Sequence, residues 1–264
     1  VPMIIDIHGH YTTEPAAFHA FRDKQVAGIT DPSRKPQTED LGLTDDQIKK
    51  TVEKQLAFQT ERGSDLTIFS PRASGMGHHI GDESVSQDWT QICNDLIHRV
   101  VTLFPKNFIG VCQLPQSQGV SPAHSIAELE RCVKQLGFKG CMINGQTLGH
   151  YLDERQFDPF WAKAEELGAP VYLHPADPVR MYDGYGDYKV LMLATWGWGV
   201  ETGTHALRIV FGGVFERFPN ALLLLGHCGE SLPFMLWRLD SRAKTLYGVK
   251  MKKDVSQYII DNIA

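Results

Sequence analysis

The chain has 264 residues, of which 42% are hydrophobic and 22% are charged, a composition that is ordinary for a globular protein. Its formal net charge is −5 and its longest basic run is only Lys250 with Lys252 and Lys253, so no nucleic-acid-binding surface is expected. Five cysteines without CxxC spacing are typical of reduced, buried thiols in a cytosolic protein. No apolar run approaches the roughly 18 residues that a membrane helix needs.

Six short apolar runs are typical of strands buried in a parallel sheet. In chain order they occupy residues 3–8, 65–70, 108–114, 138–143, 171–174 and 221–227. Amphipathic segments between them predict helices at residues 44–62, 87–104, 125–136, 158–167 and 203–218. Thr44 and Gln47 at the start of the first helix have the spacing of a capping box. Strands that alternate with helices predict a parallel sheet with right-handed crossovers.

Polar residues at the ends of these runs favour a closed barrel over an open, doubly wound sheet. They are His8, His10, Ser70, Asn144, His174 and His227. A barrel gathers the carboxyl ends of its strands round one mouth, where enzymes of this architecture keep their sites. No GxGxxG sequence follows the first strand, which disfavours dinucleotide binding.

The end of the sequence predicts how far such a barrel extends. After the sixth strand we expect a helix at residues 232–246, a short helix at 255–260 and the opening of a seventh strand at 261–264. The predicted fold is therefore α/β, a (β/α)8 barrel that is incomplete at its C-terminus and lacks most of strand seven and all of strand eight. We expect a single domain over residues 1–264, with long excursions at about 11–43 and 175–200.

The sharpest local signal is the segment Asp6-Ile7-His8-Gly9-His10. Residues i and i+2 of a strand point the same way, so the two imidazoles can chelate one metal ion. An HxH pair alone is equally typical of two structural histidines. Its position at the end of the first strand favours the metal site, as do His174 and His227 at the ends of the fifth and sixth strands.

This pattern resembles the metal-dependent amidohydrolase superfamily, and within it the amidohydrolase-2 or aminocarboxymuconate-semialdehyde decarboxylase-like family. The first part of the chain, to about residue 115, resembles 4-oxalomesaconate hydratases in the sequence segments 4–13, 61–67, 69–74 and 78–82. From about residue 136 onward the chain is similar to the γ-resorcylate, 2,3-dihydroxybenzoate and 5-carboxyvanillate decarboxylases. The matching sequence segments are residues 136–140, 143–145, 157–161, 172–175, 201–208 and 226–240.

The resemblance implies a set of site residues. His8, His10 and His174 would bind one divalent metal ion, zinc in preference to manganese or magnesium, while the family's carboxylate ligand after strand eight has no counterpart in this sequence. His227 would move a proton and Glu230 would orient it. Three further residues are implied to contact substrate: Arg72, Asn144 and Arg238. In relatives the arginine that matches Arg238 crosses a dimer interface to bind the neighbour's substrate carboxylate.

The resemblance also implies an activity. We expect a carboxy-lyase, a metal-dependent non-oxidative decarboxylase of a hydroxylated aromatic acid, acting in the cytoplasm as a homodimer or homotetramer. One departure keeps alternatives open, because many such decarboxylases have Glu-x-His where this chain has His8 and His10. The alternatives are a hydratase of a ring-cleavage keto diacid, a metal-dependent hydrolase and an inactive barrel subunit. The expected partner is a small aromatic or keto-diacid substrate, and neither nucleic acid nor membrane.

Overall fold

The computed structural model describes residues 2–72, 81–116 and 121–264. Parts of two segments that resemble the hydratases, residues 73–74 and 78–80, lie outside these ranges. The chain divides into two compact units, Val1–Cys141 and Met142–Ala264, which are considered in turn. The expected single domain stays a prediction. Within the described ranges, none of the helices has the length and apolar character needed to cross a bilayer.

The first unit contains a parallel three-stranded sheet in the order β1-β2-β3. Its strands are β1 (Ile5–His10), β2 (Leu66–Ser70) and β3 (Phe108–Gly110), and a further short strand, β4 (Cys112–Gln113), follows. The predicted strand at 108–114 is thus interrupted at Val111. The register of β1 against β2 shifts between Asp6 and Gly9, which brings His10 opposite Ser70.

Four helices complete the first unit: α1 (Ala16–Thr30), α2 (Asp45–Arg62), α3 (Glu83–Leu103) and α4 (Pro122–Lys134). The predicted capping box is confirmed. Thr44 Oγ1 accepts a hydrogen bond from the backbone N–H of Gln47, and Gln47 Oε1 accepts one from the backbone N–H of Thr44. Helix α2 ends at Gly63, whose φ of +68° suits a left-handed C-cap. The excursion at 11–43 contains α1, a helix that the sequence pattern did not predict, and Phe18 of α1 stacks on Trp89 of α3.

The second unit has strands in the order β5-β6-β7, namely β5 (Cys141–Asn144), β6 (Val171–His174) and β7 (Leu223–Leu225), and β6 runs parallel to β7. Its helices are α5 (Asp158–Leu167), α6 (Gly197–Phe211), α7 (Val214–Arg217), α8 (Leu236–Tyr247) and α9 (Val255–Asn262). Helix α5 has the predicted bounds. Strands that run parallel and alternate with helices confirm the α/β class. The closed barrel and its incompleteness stay predictions.

Two predicted segments of the second unit need correction. The helix expected at 203–218 begins earlier, at Gly197, and ends at Phe211, because Gly213 adopts a left-handed φ of +70° and separates α6 from α7. The strand expected at 261–264 begins later. Its first two residues close α9, where the Asn262 side chain donates to two backbone carbonyls, and only Ile263 forms a parallel bridge, with Leu223.

Candidate functional site

His8 and His10 lie together at the carboxyl end of β1. Their Nε2 atoms are 2.7 Å apart, their rings meet edge to face, and both residues are half-buried. The intervening Gly9 permits this arrangement, because a Cβ at Gly9 would lie 2.2 Å from Thr67 Cγ2 on the neighbouring strand. Two imidazole lone pairs at such a distance repel each other unless a proton or a cation lies between them. The pair is therefore suited to holding a positive charge.

Ser70, at the end of β2, fixes the protonation of the His10 ring. Ser70 Oγ lies 2.6 Å from His10 Nδ1 and 3.0 Å from the carbonyl oxygen of Gly9. The single hydroxyl proton is donated to a backbone carbonyl, so Ser70 Oγ accepts from the Nδ1–H of His10. His10 then has an unprotonated Nε2 directed at His8, which is the tautomer of a metal ligand held by an outer hydrogen bond. The sequence drew attention to Ser70 only as a polar residue at the end of a strand.

In the second unit, His174 ends β6 and is half-buried. Its Nδ1 lies 2.9 Å from the carbonyl oxygen of Pro175, a contact in which Nδ1–H donates. Nε2 is then the unprotonated nitrogen, as it is in His10. Both histidines thus have the same tautomer, with the lone pair on the nitrogen farther from the backbone.

His227 and Glu230 form a hydrogen-bonded pair directly after β7. His227 Nδ1 lies 2.7 Å from Glu230 Oε1, and the Glu230 side chain is only 5% exposed while that of His227 is 47% exposed. The turn that contains them, residues 227–231, has a positive φ at every residue. The four that are not glycine are His227, Cys228, Glu230 and Ser231, with φ between +50° and +65°. Such strain persists where the surrounding structure imposes it, and it concentrates at functional sites.

The three predicted substrate contacts lie in different surroundings. Arg72 is exposed, two residues after β2, and Asn144 is the buried last residue of β5. Arg238 is exposed on α8, beside Trp237, whose side chain is 77% exposed. The homo-oligomer in which Arg238 would serve a neighbouring subunit stays a prediction.

Glu14, four residues after His10, is a buried acid that the sequence analysis did not select. Its side chain is 4% exposed, and His19 Nε2 lies 3.4 Å from its Oε2. Burial raises the pKa of Glu14 to about 7, although the charge and the backbone N–H of Arg72 both oppose this change. Glu14 thus connects the segment after β1 to the segment that contains Arg72. An isolated Glu-Pro pair after a strand has no distinctive spacing that would reveal it.

Comparison with known proteins places this arrangement in a family. The Amidohydro_2 family of amidohydrolases matches residues 5–248, which include both histidine-bearing segments of β1 and β6 and the turn after β7. The chain belongs to this family. The resemblance that the sequence indicated is therefore confirmed.

Curated relatives include both kinds of enzyme that the sequence resembles. A 2-keto-4-carboxy-3-hexenedioate hydratase from Sphingobium sp. is 41% identical over 92% of the chain and 70% of its own length. A γ-resorcylate decarboxylase from Polaromonas sp. is 34% identical over 80% of the chain and 66% of its own length. Hydratases and decarboxylases are both lyases, so the similarity is to lyases of two types.

Solved structures give the same two types. A 4-oxalomesaconate hydratase from Rhodopseudomonas palustris has a TM-score of 0.82 and 37% identity, covering 99% of this chain and 72% of that one. A dihydroxybenzoic acid decarboxylase from Polaromonas sp., with bound manganese and the inhibitor 2-nitroresorcinol, has a TM-score of 0.77 and 28% identity over 100% of this chain and 77% of that one. The manganese in that structure supports a divalent ion, and zinc in particular stays a prediction.

Proposed function

We propose that this chain is a metal-dependent lyase that adds water to a conjugated keto diacid of the 4-oxalomesaconate type. The paired imidazoles of His8 and His10, with Nε2 atoms 2.7 Å apart, are the observation that carries the proposal. A first strand ending in two histidines matches the hydratases and also the aminocarboxymuconate-semialdehyde decarboxylases, whereas many aromatic-acid decarboxylases have a glutamate at the first position. The hydratase relative is also similar over more of the chain than the decarboxylase relative.

One divalent ion would be held by His8, His10 and His174. These three imidazoles are the ligands that the sequence pattern and the family resemblance predicted. The donor chemistry fits, since the outer hydrogen bonds of His10 and His174 each leave Nε2 unprotonated. Neutral imidazole suits zinc best, and a site with added carboxylate oxygens would also accept manganese. A bound ion supplies Lewis acidity for the oxygen atoms of the substrate.

His227 is the residue that would move the proton. Hydration of a carbon–carbon double bond places hydroxide on one carbon and a proton on its neighbour. Glu230 accepts the Nδ1–H of His227, so the proton that the ring gains or loses is on Nε2, at the exposed edge. One imidazole with a fixed tautomer can therefore take a proton from water and pass it to carbon. Loss of such a group typically lowers the rate by a factor of about 10²–10⁴.

Decarboxylation of a hydroxylated aromatic acid is the second candidate, and the 34% identity to the γ-resorcylate decarboxylase favours it. The doubly protonated ring of His227 would then donate its Nε2 proton to the ring carbon that bears the carboxylate, and would keep the Nδ1–H that Glu230 accepts. The carbon–carboxylate bond breaks, its electron pair restores the aromatic ring, and carbon dioxide leaves. Both reactions use the same proton-transferring imidazole, so the pair His227–Glu230 alone does not choose between them.

A substrate comparison tests the proposal. Purified protein is assayed with the enol of 4-oxalomesaconate, γ-resorcylate, 2,3-dihydroxybenzoate and 5-carboxyvanillate, following ultraviolet absorbance and carbon dioxide release. His227→Asn is the test variant and His150→Asn, on the exposed surface of the same unit, is the matched control. We expect absorbance loss with the keto diacid alone, without carbon dioxide, and its disappearance in His227→Asn only. Carbon dioxide release from an aromatic acid would instead establish the second candidate.

A further inference from the structure

One face of helix α6 lies against the strained turn that contains His227 and Glu230. Gly199 and Gly203 are one helical turn apart on this face, and both are close to Glu230. A Cβ at Gly199 would lie 2.9 Å from Glu230 Oε2, and a Cβ at Gly203 would lie 3.3 Å from the Glu230 backbone oxygen. The absence of side chains at these two positions allows the turn to approach the helix closely.

The glycines of this segment differ in what a methyl group would meet. At Gly197 it would lie 2.4 Å from the backbone oxygen of Met192, which cannot yield without a shift of the chain. At Gly199, within the described part of the chain, Glu230 Oε2 is the one atom of another segment within 4 Å. That atom is the far end of a side chain and not part of the backbone. A methyl group at Gly199 would therefore displace the carboxylate and leave the fold in place.

We propose that Gly199 is a positioning residue: it leaves space for Oε2 of Glu230, so that Oε1 of Glu230 can accept the Nδ1–H of His227. The inference rests on the proposed role of His227. Helix propensity favours alanine over glycine, so the stability of α6 gives no reason for glycine at this position. The space is explained instead by the Glu230 carboxylate, which is 5% exposed and hydrogen-bonded to His227 through Oε1. Its Oε2 occupies the space 2.9 Å from where a Cβ at Gly199 would lie.

The location of Gly199 also has an electrostatic consequence. Gly197 begins α6, so Gly199 lies in the first turn of a 15-residue helix. Unpaired N–H groups there give the helix a partial positive charge at this end, which attracts a nearby carboxylate group. The Glu230 carboxylate therefore has two partners, the helix end near Oε2 and the His227 ring at Oε1. Displacing the carboxylate from the helix end would weaken both of its interactions.

A double-mutant comparison tests the inference. Turnover of the keto diacid is measured for Gly199→Ala, Glu230→Gln and the double variant, with Thr204→Ala as control, because Thr204 is exposed on the same helix. We expect Gly199→Ala to keep or slightly raise the Tm, because alanine favours the helix. It should lower kcat by about 10- to 100-fold, the effect typical of losing a hydrogen-bond partner that orients a functional histidine. The change in KM should be small. In the Glu230→Gln background, Gly199→Ala should have no further effect, since the group through which it acts is already altered.

A second measurement needs no turnover. In protein with ¹⁵N-labelled histidine, the ¹⁵N NMR chemical shifts of the His227 ring report whether Nδ1 carries the proton. We expect Nδ1–H in the parent and in Thr204→Ala, and a mixture of tautomers in Gly199→Ala. Additive effects on kcat, or an unchanged tautomer in Gly199→Ala, would overturn the inference. If His227→Asn retains full turnover, the proposed function fails, while the tautomer measurement still decides whether Gly199 positions Glu230.

Discussion

Glu14→Gln should remove a pH dependence from the stability of the protein. Burial raises the pKa of Glu14 from 4.5 to about 7 in the folded state, so the folded chain binds this proton more tightly than the unfolded chain. As the pH rises from about 4.5 to about 7, the unfolded state loses its proton first and the folded state is destabilised. At 1.36 kcal/mol per pH unit, the loss above pH 7 amounts to about 3 kcal/mol. The charged and titratable groups around Glu14 are Arg72, His19, Tyr11 and Cys93.

The assay is urea unfolding of the parent and the variant between pH 4 and pH 8. Glutamine keeps the acceptor oxygen for the Arg72 backbone N–H and removes only the charge. The free energy of unfolding of Glu14→Gln, relative to the parent, should therefore increase by about 3 kcal/mol across this range. Glu53→Gln on the exposed side of α2 is the matched control and should show no such increase. A parent-to-variant difference that stays constant with pH would refute the reasoning.

Three further outcomes are expected. Thr44→Ala removes the N-cap of α2 and should lower the free energy of unfolding by about 1 kcal/mol in urea titrations. Ser70→Ala leaves His10 Nδ1 without its acceptor and should weaken metal binding by about 10- to 100-fold, measured by competition with a chelator. His205→Ala leaves the buried Leu152 N–H unpaired and should lower the free energy of unfolding by about 1–3 kcal/mol at pH 7.5. Burial lowers the pKa of His205 to about 3, so below pH 6.5 the unfolded parent takes up a proton that the folded parent does not, and the parent loses stability. The difference in free energy of unfolding between parent and variant should therefore be smaller by about 2 kcal/mol at pH 5.

Features that depend on local periodicity could be predicted from the sequence. The alternation of a strand predicted that His8 and His10 share a face, and their Nε2 atoms are indeed 2.7 Å apart. Capping chemistry predicted the start of α2 at Thr44, and the bounds of α5 were correct. Such signals are contained within a few neighbouring residues, so a single sequence is sufficient to reveal them.

Features that depend on contacts between distant residues could not be predicted. Ser70 supports His10 across 60 positions, and its residue type and spacing are shared with many strand ends. Glu14 acquires its raised pKa from burial, which no local pattern encodes. The relation of Gly199 to Glu230 exists only once the turn lies against α6, so no local pattern could reveal it. Helix α1 was missed because its apolar residues lack a clear helical period.

The central claim is that a divalent ion held by His8, His10 and His174 is required for a lyase reaction. The most direct test is metal analysis of the purified protein, combined with turnover of the keto diacid before chelation, after chelation, and after return of zinc or manganese. The account predicts one equivalent of metal per chain, loss of turnover on chelation, recovery on return of the ion, and neither metal nor recovery in His10→Asn. Full turnover by the chelated, metal-free protein would contradict it.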